Sequence, residues 1–173
     1  MTRLRTANML AAFAGDVSER ANAMLKSHPN QTDSAFAALN IMSFWEGITN
    51  AQLAKALKLS HTATVRLVDK LEARGFVQAR RGEDKRATHL FLTDTGRGAA
   101  EPMLVARCAA MTPYLDVLSV DEEKQLSTLL EKLMRPLAKD AYGVSHFCRL
   151  CDFSACPEDQ CPMHADMDKW AAP

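Results

Sequence analysis

Apolar side chains recur at three-to-four spacing through most of the chain, and this period predicts a mainly helical protein. A first helix is expected over residues 4–26, because the SHPN segment with Pro29 then breaks the pattern. A second helix is expected to begin at Thr32 or Asp33, either of which can cap it, and to stop before Gly47. Both helices precede the stretch at residues 49–93, around which the rest of the chain is organised.

Two short helices are predicted next. Thr49 can cap the first, which has a short apolar face, and Ser60 can cap the second, which ends at Gly75. The inward positions of the second helix fall at i, i+3, i+4 and i+7. They are Thr64, Leu67, Val68 and Leu71.

Two β-rich runs, residues 76–80 and 88–92, follow and flank a charged loop built on a glycine turn, so they are expected to pair as a hairpin. Ile48 is placed to add a short strand beside them. Helix, helix and hairpin in succession are the elements of a winged helix-turn-helix. In that unit the second helix reads the major groove of DNA and the hairpin is the wing.

The charge of this stretch favours a nucleic-acid partner. Residues 49–92 carry nine lysines or arginines against four acids, in a chain whose formal net charge is zero. A basic module inside a neutral chain is the electrostatic footprint expected for binding phosphates. The residues predicted to contact DNA are Ser60, His61, Thr62, Val65, Arg66 and Lys70 on the second helix and Arg81, Lys85 and Arg86 on the wing.

Long helices are predicted beyond the hairpin. Thr93 opens a helical stretch to about residue 118, in which Pro102 and Pro113 should each produce a kink. Ser119 then forms a capping box with Glu122 at the start of a last helix. That helix carries an apolar stripe, which needs a partner. The stripe consists of Leu126, Leu129, Leu130, Leu133 and Leu137.

This order of elements resembles the MarR family of bacterial transcription regulators over roughly residues 4–139. The likeness is carried by LSHTATVRLVDKLEARGFV at residues 59–77, EDKRA in the wing loop and LTDTGR at residues 92–97. The resemblance implies a two-fold homodimer whose base is formed by the first and last helices. It also implies a pseudo-palindromic double-stranded operator, with each second helix in a major groove and each wing-tip arginine in the flanking minor groove.

The leucine pattern stops near residue 139, and the acidic segment that follows could not pack a core of its own. The expected fold is therefore a mainly α winged helix protein with a short cysteine-rich tail. Its expected divisions are a winged helix domain at residues 1–140, with a DNA-binding core at 49–93 and dimerisation helices at 4–26 and 94–139, and a metal-binding tail at 141–173.

The tail contains cysteines at C-x2-C-x4-C-x4-C spacing, which matches a retroviral-type zinc knuckle without its glycines. Four thiolates can close a tetrahedral zinc site, so zinc is the first choice. The Cys-Pro steps echo ferredoxin sequences and favour an iron–sulfur cluster as the alternative. A metal-free thiol sensor is the third hypothesis. The candidate ligands are Cys148, Cys151, Cys156 and Cys161, with His146 and His164 as flanking substitutes.

The remaining sequence points to a binding protein and not to an enzyme. It contains no phosphate-binding glycine loop, no G-x-S-x-G and no H-E-x-x-H. We expect a DNA-binding repressor that responds to metal or redox state through the cysteines. A regulator that responds to a small-molecule effector, with a purely structural cysteine site, is the alternative, and a thiol enzyme is a distant one.

Composition and cysteine usage predict where the protein works. With 47% hydrophobic and 24% charged residues and no transmembrane stretch, the chain is expected to be cytoplasmic, without a membrane partner. Cysteines are reduced in that compartment, so the crowded set favours metal over disulfides. Cys108, alone on a helix, is expected to be a small buried hydrophobe.

Overall fold

The computed structural model describes residues 2–26, 32–82, 88–137, 140–156 and 161–163. Within these ranges the protein is mainly helical with one small sheet, as predicted. The helices are α1 (Arg3–Lys26), α2 (Asp33–Phe44), α3 (Asn50–Leu57), α4 (His61–Ala73), α5 (Asp94–Ala109), α6 (Thr112–Leu115), α7 (Val120–Met134) and α8 (Ala141–Cys148). The strands are β1 (Ile48–Thr49), β2 (Val77–Arg81) and β3 (Thr88–Leu92), and a 3-10 turn over Arg135–Leu137 follows α7.

Side-chain caps begin the helices where the sequence predicts them. The cap of α2 is Thr32, whose hydroxyl accepts a hydrogen bond from the Ala35 N–H at 3.2 Å. Such caps satisfy N–H groups that the first turn of a helix leaves unpaired. The other confirmed caps are Thr49 for α3, Ser60 for α4, Thr93 for α5 and Ser119 for α7.

The three strands form one antiparallel sheet in the order β1-β3-β2. Ile48 lies opposite Leu90, which confirms the short strand predicted beside the hairpin, and Val77 lies opposite Leu92. Ile48, Val77 and Leu90 are all buried, so one face of the sheet packs on the core. The wing is therefore fixed to the body of the protein at its base.

Helix α2 lies at the centre of the core. Its residues 35–42 are all buried, and the helix contacts α3, α4, α5 and β3. Leu53 on α3 and Leu71 on α4 belong to the same buried cluster. Helix α4 and the wing are consequently supported by a single hydrophobic core, whose burial is the main favourable term in folding.

The stretch after the wing is divided into two helices, so the prediction of one bent helix to residue 118 is wrong. Helix α5 runs through Pro102 and ends at Ala109, and Pro113 lies in the first turn of the separate helix α6. Proline is tolerated in a first turn because the N–H that it lacks would have no partner within the helix. Pro113 therefore lies at the start of a new helix and does not bend a continuous one.

Helix α8 lies in the segment expected to be an appended tail. Asp140 caps it, accepting a hydrogen bond from the Gly143 N–H at 2.7 Å. The helix packs against α3, and Tyr142 and Leu150 pack against the main core cluster. Tyr142 and Leu150 thus join this segment to the core of the winged helix. No helix in the described part of the chain is long and apolar enough to span a bilayer.

Gly96 lies where the first turn of α5 meets the backbone that follows α4. The Thr93 N–H donates to the Phe76 carbonyl at 3.1 Å, and the Thr93 hydroxyl donates to the Gly75 carbonyl at 2.6 Å. A Cβ atom on Gly96 would lie 2.0 Å from the Phe76 carbonyl oxygen. Backbone meets backbone here, so a side chain at Gly96 would require the two segments to separate.

We therefore expect Gly96→Ala to destabilise the protein by about 3 kcal/mol, the upper end of overpacking costs. Thermal unfolding at a fixed protein concentration measures this. Gly98→Ala is the matched control, because nothing lies within 4 Å of a Cβ built on Gly98 of the same helix. Equal unfolding temperatures for the two variants would contradict the role given to Gly96.

Candidate nucleic-acid interface

The turn between α3 and α4 sets the angle at which α4 leaves the core. Lys58 takes a left-handed conformation with φ 55°, and its N–H donates to the Lys55 carbonyl at 3.1 Å. The Leu59 N–H donates to the Ala54 carbonyl at 2.9 Å. These bonds satisfy carbonyl groups at the end of α3, and Ser60 then caps α4, so the turn is tied at both ends.

Helix α4 buries one face and exposes the other, in the orientation that the sequence predicts. Thr64, Val68 and Leu71 are buried, and the Thr64 hydroxyl donates to the Ser60 carbonyl at 3.1 Å. Leu67 is partly buried against the same core. The predicted DNA-contacting residues lie on the open side: Ser60, His61, Thr62, Arg66 and Lys70 are exposed, and Val65 is half-buried.

Arg66 and Lys70 on this open face form no salt bridge with any residue that the structure describes. Salt bridges within the described ranges join Arg20 to Asp16 and Lys124 to Asp121, and neither involves α4. Arg66 and Lys70 line a shallow groove between α4 and the first turn of α2 at Thr32. Exposed cations on a helix can bind either phosphate oxygens or base edges, so this face of α4 suits duplex DNA.

The wing is held in a fixed relation to α4. The Glu72 carboxylate accepts a hydrogen bond from the Ala79 N–H at 2.9 Å, which links α4 to β2. Arg80 lies over the Phe91 ring, 4.7 Å from its centroid, while Arg81 is exposed at the end of β2. Lys85 and Arg86, the predicted wing-tip contacts, lie outside the described residues, and their role stays a prediction.

The four tail cysteines lie near one another as two pairs. Cys148, at the end of α8, interacts most strongly with Cys151, and Cys156 interacts with Cys161. The interaction with Cys148 lowers the pKa of Cys151 to about 7, and the interaction with Cys151 raises the pKa of Cys148. Burial raises the pKa of Cys156. The Cys148–Cys151 pair therefore readily shares one negative charge.

The cysteines fit a thiophilic metal by chemistry, and the two pairs would need to approach each other to share one ion. No group of three or more histidine, cysteine, aspartate or glutamate side chains in the described residues has the spacing of a ligand set. Cys148 is 4% exposed, and Met163 and Phe153 pack around the pairs. Thiolates in such apolar surroundings are suitable ligands for zinc or iron.

His146, considered above as a substitute ligand, is engaged elsewhere. Its Nδ1 atom lies 3.1 Å from the Ala56 carbonyl oxygen on α3. Burial lowers the pKa of His146, so the ring is neutral at pH 7 and donates this hydrogen bond through Nδ1–H. His164 lies outside the described residues. The hydrogen bond makes His146 a link between α8 and α3.

Two further side chains hold the tail, and sequence reasoning missed both. The Asn40 amide on α2 donates to backbone carbonyls of the tail, at 3.1 Å for Arg149 and 3.0 Å for Cys151. Arg107 on α5 donates to the Leu150 carbonyl at 2.7 Å. The sequence does contain a sign of the role of Asn40, because it is the one polar residue in the apolar run from 35 to 42. No sequence pattern indicates the role of Arg107.

A cavity of about 470 Å³ lies between α1, α2 and the loop after α8. Arg107, His146 and Arg149 line it together with Asp33 on α2. Within the described residues the Arg107 Nε atom is buried without a hydrogen-bond partner. Burial, followed by the charge of Arg107, lowers the pKa of Arg149. A bound anion would relieve both the unmet hydrogen bond and the repulsion between the guanidinium groups.

Cys108 is exposed on α5, so the expectation of a buried hydrophobe is wrong. Partial burial of its sulfur, and then the Asp152 charge, raise its pKa. Cys108 is thus an accessible thiol outside the four-cysteine set, and it serves as an internal reference for experiments on the tail cysteines.

Solved structures share this fold across most of the chain. A MarR family protein from Bacillus stearothermophilus matches with a TM-score of 0.70 and 24% identity, over 80% of this chain and 100% of that one. FabT of Streptococcus pneumoniae in complex with DNA matches with a TM-score of 0.66 and 20% identity, over 79% of this chain and 97% of that one. The fold is therefore the winged helix of MarR-type proteins.

Sequence comparison extends the assignment from fold to family. The model of the MarR family matches residues 32–88. The transcriptional repressor MprA of Escherichia coli strain K12 is 31% identical over 122 residues, 69% of each chain. The HTH-type transcriptional regulator YwhA of Bacillus subtilis is 31% identical over 86 residues, 49% of this chain and 62% of that one. The chain belongs to the MarR family, and its relatives are transcription regulators rather than enzymes, as predicted.

Proposed function

We propose that the protein is a dimeric repressor that binds a pseudo-palindromic duplex through α4 and the wing. The observation that carries this proposal is the open face of α4, where Arg66 and Lys70 are exposed and form no salt bridge within the described ranges. Such cations neutralise phosphates or bind base edges in the major groove. The relative MprA is a repressor, which supports repression. The structural neighbour FabT was solved with DNA, which supports duplex binding.

The second copy is proposed from apolar surface that the single chain leaves open. The leucine stripe of α7 is largely uncovered, with Leu130 46% and Leu133 54% exposed. Leu10 and Phe13 on α1 are 53% and 49% exposed. Contiguous apolar patches of this kind are rare on monomers and mark association surfaces. A two-fold axis through α1 and α7 would bury them and set two α4 helices about one DNA turn apart.

Leu130→Gln should weaken the dimer, because it places an amide in the apolar interface. Sedimentation velocity across a concentration series measures the shift toward monomer, which we expect to be about tenfold or more in the dissociation constant. Thr128→Gln introduces the same side chain on the opposite face of α7 and should leave the association unchanged. Equal dissociation constants for the two variants would remove α7 from the interface.

Arg66→Ala should reduce discrimination between duplexes by about 1–3 kcal/mol at particular base pairs, because Arg66 is proposed to bind base edges. Fluorescence anisotropy with the promoter duplex, and with single base-pair changes in it, measures this, and binding should weaken steeply with salt. Lys124→Ala removes one exposed cation from α7 and is the control. A uniform loss of affinity on every duplex would instead assign Arg66 to the phosphates.

We further propose that the tail cysteines bind one metal centre per chain, zinc first and an iron–sulfur cluster as the alternative. The packing of Cys148, Cys151 and Cys161 in one apolar cluster supports this. Bound metal would replace shared protons by thiolate coordination and close the tail segment. The same two pairs would also suit oxidation to disulfides, which keeps a metal-free thiol sensor as the third hypothesis.

Cys151→Ser should lower both metal content and thermal stability, because serine is a far weaker zinc ligand than a thiolate. Elemental analysis and an absorption spectrum of anaerobically purified protein measure the metal: zinc is colourless, and a cluster absorbs in the visible. Cys108→Ser is the matched control, since Cys108 lies outside the two pairs. Wild-type protein that is reduced, freshly purified and metal-free would leave only the thiol sensor.

A small anionic effector is the second candidate for the signal. The cavity lined by Arg107, Arg149 and His146 supports it, and so does the buried, unpartnered Nε atom of Arg107 within the described residues. Release of the duplex by small organic carboxylates, lost in Arg149→Gln, would favour this candidate. Release that instead follows metal or oxidation would favour the cysteines.

A further inference from the structure

Asn40 is a polar side chain inside an otherwise apolar helix, and it faces the cysteine segment. It is 1% exposed, and its neighbours Leu39 and Ile41 are fully buried. Its amide nitrogen lies within hydrogen-bond distance of three backbone carbonyl oxygens: 3.4 Å from Cys148, 3.1 Å from Arg149 and 3.0 Å from Cys151. A buried amide group is costly unless it forms hydrogen bonds, and here both N–H donors of the Asn40 amide have carbonyl acceptors.

The three carbonyls belong to the end of α8 and to the loop between the first two cysteines. The last turn of a helix leaves carbonyl groups unpaired, and a side chain from outside can satisfy them. The Cys151 N–H also donates to the Cys148 carbonyl at 2.8 Å, which closes the loop into a tight turn. Asn40 therefore holds the backbone that carries both sulfur atoms of the Cys148–Cys151 pair.

Two more contacts attach the same segment to other helices of the winged helix core. Arg107 on α5 donates to the Leu150 carbonyl at 2.7 Å. His146 on α8 lies 3.1 Å from the Ala56 carbonyl of α3. Side-chain hydrogen bonds thus hold the segment to α2, α3 and α5. Among the described residues no hydrogen bond joins it to α7, the helix with the leucine stripe.

We propose that Asn40 is the positioning residue of the thiol site, and that the state of this site reaches α4 through α2 and α3. The proposal deepens the function proposed above, since it rests on a thiol site that binds metal and a protein that binds duplex DNA. Drawing the two cysteine pairs together around an ion would pull on the loop that Asn40 holds. Because α2 and α3 both pack on α4, strain at Asn40 is passed to the helix that faces DNA.

Asn40→Asp tests this with a side chain of the same shape that replaces the amide donor by an oxygen. We expect alkylation of Cys148 and Cys151 in the reduced, metal-free full chain to accelerate by about tenfold, the effect of losing one net hydrogen bond. Mass spectrometry resolves each cysteine, and Cys108 should react at an unchanged rate. Ser43→Ala is the matched control, because among the described residues the Ser43 hydroxyl bonds within α2, to the Asn40 carbonyl.

A second readout follows the metal. Cobalt(II) gives visible bands when thiolates bind it in a tetrahedral site, and we expect its affinity to fall by about tenfold in Asn40→Asp and to be unchanged in Ser43→Ala. The ratio of duplex affinities with and without zinc, which the proposal expects to differ from one in the wild type, should approach one in Asn40→Asp. A merely structural asparagine would lower thermal stability and leave this ratio alone.

The outcomes separate this proposal from the function on which it rests. Wild-type protein without metal affinity would remove the zinc site, and the alkylation rates would still decide whether Asn40 positions the loop. Alkylation rates and cobalt affinity equal to the wild type would overturn the role of Asn40. Should Asn40→Asp fail to fold, His146→Phe removes the bond to α3 and should likewise make the zinc effect on duplex affinity disappear. An undiminished zinc effect there would overturn the coupling.

Discussion

The burial of α2 is the constraint on which the rest of the structure depends. Residues 35–42 are buried on every side of this helix, with α3, α4, α5 and β3 around them. Such all-round burial gives the helix little freedom to shift without disturbing every neighbour, because protein interiors are close-packed. The position of α2 therefore sets the orientation of α4, the attachment of the wing and the docking of the cysteine segment.

Most of the DNA-binding unit could be predicted from the sequence because its rules are local. Thr49, Ser60 and Thr93 cap their helices through side-chain oxygens a few residues away, and Gly75 supplies the positive φ that ends α4. The inward face of α4 follows from helical period alone. Gly96 in the LTDTGR sequence cannot take a side chain without a shift of the backbone, since a carbonyl oxygen would lie 2.0 Å from its Cβ.

The placement of the cysteine segment could not be predicted, because it depends on contacts between residues far apart in sequence. The bonds from Asn40 and Arg107 to the segment cross more than forty residues, and no periodic pattern records them. The acidic composition of the tail suggested a separate appendage. Several of its apolar residues, among them Tyr142, Val144 and Leu150, are instead buried or partly buried against the winged helix and the cysteines. The residues between Cys148 and Cys151 also line the cavity, so the thiol site and any anion site share one loop.

The proposed function requires that α4 and the wing of a dimer bind duplex DNA in a sequence-specific way. Selection of the full-length protein's binding sites from a pool of random duplexes tests this most directly, because it requires no knowledge of the operator. The account predicts enrichment of an inverted repeat with half-sites about one helical turn apart, lost when Thr62 and Arg66 on α4 are replaced by alanine. Recovery of unenriched sequences at moderate salt, or of the same repeat by the doubly substituted protein, would contradict it.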